Sequence, residues 1–240
     1  MIRKIKDIII MIMAMLKHSH YSKIIYYHDV HCDTEYTDMS TPMEVFEQHI
    51  NTVKESGFDI VPQITDHKHQ VMICFDDGFR GLWDNRDYFI DNNIMPTVFI
   101  AVNLIGKEGY LTLDEIKSLA NSGFRFQAHG WKHSDLTAFS DMELKRELFD
   151  AKHKLEELTG LNITEICFPQ GYYSDKVVEY SESYGYTLMY TSDPKPHAKR
   201  IKDNLLSRYL VQHASPTQLK AILRGGMDCL YMHYYKLHKR

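Results

Sequence analysis

The sequence predicts an α/β fold, a distorted parallel (β/α) barrel of about seven strands, and three observations carry that prediction. Short apolar runs rich in β-branched and aromatic residues alternate with amphipathic segments that have helix start and stop signals. Several of the runs are apolar at every position, as in strands buried on both faces. Polar and turn residues gather just after them, at the strand ends where parallel barrels keep their chemistry. The chain has 240 residues, of which 44% are hydrophobic, enough for a single large core.

The elements follow in order. Arg3, Lys4 and Lys6 precede an apolar run over residues 8–16 that is too short to span a bilayer and lacks a small-residue cleavage pattern. A helix docked on the body or lying on a membrane surface fits residues 1–22, and the barrel is expected over 23–225. Residues 24–27 form the first strand, and Thr41-Pro42-Met43-Glu44 starts a helix with Thr41 as its cap and Gly57 as its stop. Residues 58–61, 71–75, 97–101 and 124–128 read as further strands, with a helix from Thr112 toward Gly123 between the last two. The longest helix starts at Ser140, with Glu143 completing a capping box, and Gly160 closes it. A strand at 165–168, a helix at 174–184, a strand at 186–191 and a capped helix from Ser215 complete the set, leaving 226–240 unassigned.

The chemistry is expected on one rim. Asp76 and Asp77 follow the strand 71–75, His129 follows 124–128, and Pro169-Gln170-Gly171 follows 165–168. Adjacent carboxylates can divide two roles, one binding a metal and the other serving as base. His129 and His133, four apart across the start of a helical turn, can aim at one point, and with Asp77 they make a divalent-metal set with open positions. The pairs His18/His20 and His67/His69 read as chance clusters among 14 histidines.

Phe75-Asp76-Asp77-Gly78, His129-Gly130-Trp131-Lys132-His133-Ser134-Asp135-Leu136 and Phe168-Pro169-Gln170-Gly171, in that order, resemble the first three motifs of the polysaccharide deacetylases, the NodB-homology family. Tyr26-Tyr27-His28-Asp29-Val30 is similar to the branch that deacetylates poly-N-acetylglucosamine. The resemblance implies a divalent metal, usually Zn2+ with Co2+, Ni2+ or Mn2+ as alternatives, held by Asp77, His129 and His133. It implies Asp76 as general base toward a water acidified by that metal, and a backbone N–H of the Pro169-Gln170-Gly171 turn holding the oxyanion. Trp131 and Tyr172, beside the rim, are the expected sugar-stacking residues, as ring faces suit sugar faces or ordinary packing.

Two departures matter. Relatives often carry an arginine two residues before the motif proline, where this chain has Cys167; Arg208, on a late strand, is the candidate replacement. The Leu-x-His motif that supplies a general acid has no clean counterpart, which leaves His213 as the candidate and His233 as a weaker one. The expected activity is removal of N-acetyl groups from a cell-envelope or exported polysaccharide. The competing readings are a non-catalytic glycan-binding relative and an amidohydrolase of a non-sugar substrate. A net charge of −4 with scattered basic residues gives no footprint for nucleic acid. Four widely spaced cysteines suit a reducing compartment, so a cytoplasmic location, at the membrane surface through residues 1–17, is expected.

Overall fold

The structure, a computed structural model, describes residues 2–200 and 202–240. Strands β1 (Lys23–Tyr27), β2 (Gln70–Phe75), β3 (Thr97–Ile100), β4 (Arg125–Ala128), β5 (Glu165–Cys167), β6 (Leu188–Tyr190), β7 (Leu205–Leu206) and β8 (Tyr209–Leu210) form one sheet. All its pairings are parallel, in the order β7-β6-β5-β4-β3-β2-β1-β8, with Asp59–Ile60 added beside the start of β2. The two ends of this order are consecutive in the chain, separated only by Ser207 and Arg208. The sheet therefore curls until its edges meet in one interrupted strand, a distorted barrel; counting β7 and β8 together gives the seven strands expected.

Strand alternation fills both sides of this wall. Met72 and Cys74 point into the barrel with Ile24, Tyr26, Phe99, Cys167, Tyr190 and Leu206, whereas Val71, Ile73 and Phe75 pack outward into the larger core. Continuing the alternation by two residues brings Asp76 after Cys74 and Arg208 after Leu206 to the inner side of the same rim. Both are buried there.

Three capping boxes, at Thr112, Ser140 and Ser215, start helices Leu113–Asn121, Asp141–Lys145 and Pro216–Leu223 as the sequence predicts. Thr41 departs from prediction. It lies in a short strand, Ser40–Pro42, and its hydroxyl donates to the Gln212 carbonyl at 2.9 Å, so helix Met43–Glu55 starts without a side-chain cap. The run after Ser140 is also irregular, passing through a π-helical turn at Arg146–Asp150 before Ala151–Thr159.

The predicted first helix is Ile2–Lys17, packed on Pro216–Leu223 and on the 3-10 turn Gly226–Leu230. The contact is close enough that a Cβ on Gly226 would sit 2.2 Å from the Ile10 carbonyl oxygen. Residues after 225, unassigned from sequence, continue into helix Tyr231–His238. Lys239 then bridges to Tyr173, beside the third motif.

Candidate active site and metal centre

Asp76 meets Arg208 in a two-pronged contact, with Nη1 donating to Oδ1 at 2.7 Å and Nη2 to Oδ2 at 2.8 Å. Arg208 is fully buried, its Nε donates to the Thr191 carbonyl, and its guanidinium lies 4.1 Å from the Tyr26 ring centre. Burial alone raises a carboxyl pKa, but here the guanidinium wins and holds Asp76 at about 2, ionised throughout the neutral range. Cys167 lies 2.8 Å from Arg208 Nη2, so the thiol stands at the position expected to hold an arginine, and the charge arrives instead from the break between β7 and β8.

Asp77 turns away from its neighbour because its backbone is left-handed, at φ 69°. Gly78 follows at φ 76°, where a Cβ would come within 2.6 Å of the Ile100 side chain. Asp77 Oδ1 lies 3.5 Å from His129 Nε2 and 3.2 Å from His133 Nε2. The Nδ1–H of His129 donates to the Cys167 carbonyl at 2.7 Å, which leaves the Nε2 lone pair bare. Burial pushes the His129 pKa down to about 3 and lowers that of His133, so His129 is neutral at ordinary pH. A neutral imidazole lone pair then faces a carboxylate oxygen, and both Asp77 Oδ1 and His129 Nε2 are buried without a hydrogen-bond partner. Two acceptors in that position require a proton or a cation between them. The donor set of one carboxylate and two imidazoles fits a divalent cation with coordination positions left for water or substrate. Burial also raises the Asp77 pKa to about 6, the cost of holding that carboxylate without a cation.

The His129–His133 segment is not a helical turn as its spacing suggested. It is a loop with Gly130 at φ 78° and His133 at φ 57°. The buried Glu147, from the π-helical turn, shapes it by accepting the N–H groups of Trp131 at 2.7 Å and Lys132 at 3.0 Å. Nothing in the sequence marks this glutamate.

A cavity of about 320 Å³ opens over the triad. Asp76, Asp77, His129, His133, Gln170 and Gly171 reach it, and Pro169 sits in the turn beneath. Gln170 is exposed and left-handed at φ 58°. The two predicted stacking residues do not line the cavity: Arg146 lies over the Trp131 ring, and Arg240 covers Tyr172 with its guanidinium 3.7 Å from the ring centre. His213 is exposed and lines the adjoining groove of Lys6, Gln212 and Gln218 rather than the triad's cavity, so the structure does not bring it to the other site residues. His233 does not line the cavity either.

Two histidines given no role from the sequence do line it. His28 reaches it from the end of β1, its Nδ1 against Gln212 Oε1. His238 enters from the last helix, with Nδ1 2.7 Å from Oδ1 of the buried Asp193, whose Oδ2 accepts the Tyr173 hydroxyl at 3.0 Å. No local pattern around residue 238 announces this pairing, which depends on Tyr173 binding the segment in place through its N–H to the His238 carbonyl.

A curled parallel barrel carrying an ionised aspartate beside an Asp-His-His donor set defines a barrel protein with a candidate metal centre on one rim. The sequence profile of the polysaccharide deacetylases matches residues 63–189, more than half of the chain, and the chain belongs to that family. It is 23% identical over 182 residues to YxkH of Bacillus subtilis (strain 168), covering 71% of this chain and 64% of that protein. It is 27% identical over 128 residues to an uncharacterized 30.6 kDa protein of Geobacillus stearothermophilus, covering 52% and 47%. The chain thus spans less than two thirds of either relative. Among solved structures, the Streptococcus pyogenes deacetylase PplD superposes with a TM-score of 0.73 at 21% identity, over 85% of this chain and 98% of that one. IcaB from Ammonifex degensii gives 0.72 at 19%, over 86% and 98%. These likenesses establish the barrel as the fold of this family.

Proposed function

We propose that the protein is a metal-dependent N-deacetylase acting on an N-acetylated sugar of a cell-envelope or exported polysaccharide, of the kind the poly-N-acetylglucosamine branch handles. The observation that carries the proposal is the bare Asp77, His129 and His133 donor set beside a carboxylate kept ionised by Arg208. A divalent cation held by the three would act as a Lewis acid toward the acetyl carbonyl and would acidify water. Asp76, ionised and oriented by Arg208, accepts the proton of the attacking water. The N–H groups of Gly171 and Tyr172 are used within the turn, toward Phe168 and Pro169, which supports the N–H of Gln170 as the donor to the oxyanion. His238, oriented by Asp193, delivers a proton to the departing amine, in the place the sequence had given to His213. The acetate held by the S. pyogenes deacetylase is the product such a reaction yields.

The test measures metal content and acetate release from N-acetylglucosamine oligomers together. Wild type should hold close to one metal per chain and release acetate; His133→Ala should lose both. His238→Gln should keep the metal and lose turnover by roughly 10²-fold or more, the usual scale for a positioned proton donor. Metal-loaded wild type that releases no acetate from any N-acetylated sugar would overturn the substrate assignment.

A further inference from the structure

From residue 6 onward, the first helix leaves one face uncovered. Ile10 and Ala14 are buried against the body, which fixes the helix's rotation. Ile8, Ile9, Ile12, Met15 and Leu16 then point outward, between 40% and 73% exposed, with no charged residue among them. Such a contiguous apolar stripe on a soluble face marks an interaction surface.

The end of this helix supplies a second observation. Lys17 opens a cavity of about 450 Å³ that it lines with Lys68, Lys199, His18, His20 and His69. The histidine pairs that look like chance clusters in the sequence are thus one structure: the His69 N–H donates to the His20 carbonyl at 2.9 Å, the two rings stack 5.0 Å apart, and Tyr21 bridges to Lys68. The cavity's one carboxylate, Asp228, accepts the Tyr209 hydroxyl at 2.7 Å and is shared among Lys17, Lys199 and the buried Lys23. Lys17, Lys68 and Lys199 outnumber this one carboxylate, an excess of positive charge around the opening in a chain whose net charge is −4.

We propose that this face binds an anionic lipid bilayer, with the stripe seated among the upper acyl chains and the cavity taking the phosphate of a headgroup. The pairing of an apolar helix face with a cationic site at its end is what an anionic interface recognises, because burial and charge attraction add. Lys6, on the same helix, donates to the Tyr234 hydroxyl, and Tyr234 lines the catalytic cavity. The helix that would seat on the bilayer is therefore tied to the wall of that cavity.

The full chain is tested by flotation with vesicles of phosphatidylcholine alone and with phosphatidylglycerol added. Binding should require the anionic lipid, weaken roughly fivefold for each of Lys17→Gln and Lys68→Gln, and be lost in Ile12→Glu, with thermal melts confirming that each variant folds. Equal binding to both vesicle types, or binding indifferent to the lysine variants, would overturn the proposal. So would concentration-dependent dimerisation that Ile12→Glu abolishes in a protein that ignores vesicles, which would make the stripe a contact between copies. Tight uptake of inorganic phosphate by a chain that does not float would instead make the cavity a site for a soluble anion, and would equally overturn it.

Discussion

Arg208 shows how far one residue's role depends on the rest of the barrel. In the sequence it is a lone charge in an apolar stretch, equally readable as surface, and only the closure of the sheet carries it to Asp76. The carboxylates and histidines were legible because their motifs are local: a strand ends, and the functional side chain follows. Asp193 and His238, 45 positions apart, have no such signature. The pair at Arg208 also makes a pH-dependent prediction. The folded pKa of Asp76, about 2, lies below its ordinary value of 3.8, so the stabilisation it gives is complete above 3.8 and is lost as pH falls through 2. In Arg208→Met burial acts unopposed and raises that pKa, so the variant is penalised most where Asp76 must ionise. Urea denaturation should show the variant about 3–5 kcal/mol less stable at pH 8, the cost of stranding a buried charge, with the gap narrowing at pH 5.5. A gap that does not change with pH would mean the arginine acts only through packing.

At the scale of elements, helix boundaries set by side-chain caps were readable, since a capping box is a four-residue statement. Thr41 was not, because the carbonyl it bonds belongs to residue 212 and tertiary contact overrides the local signal. The π-helical turn was equally hidden: apolar spacing continues smoothly through 141–159, and the widened turn shows only in where Glu147 lands. That landing is the element's contribution to the site, since the carboxylate holds the loop that presents His133. Glu147→Gln keeps one acceptor but loses the charge that binds two N–H groups. It should weaken metal binding by roughly 10–100-fold while leaving the melting curve of the metal-free protein nearly unchanged, as measured by competition with a chromogenic chelator. Unaltered metal affinity would show that the loop holds its shape without it.

For the whole molecule, alternation of strand and helix signals made the barrel predictable, but the manner of closure was not. β1 pairs with β2 over five residue positions and with β8 over only two. The seam is therefore weaker than the β1–β2 pairing, and native-state hydrogen exchange should find Val211, whose N–H donates to the Tyr26 carbonyl across it, opening at lower free energy than the amides of β2. Uniform protection around the barrel would contradict this.

The interrupted strand also orders events in time. As the chain leaves the ribosome, Asp77, His129 and His133 are all present once residue 133 has emerged, whereas Arg208 and His238 come 75 and more residues later. Between these points come Glu147, which holds the loop of His133, and Cys167, whose carbonyl sets the His129 ring, so the donor set takes its shape before Arg208 can close the wall against Asp76 and before His238 can enter the cavity. Synthesis itself thus sets an order of assembly, in which the rim is built from its donor set outward and the last strand and last helix complete the cavity.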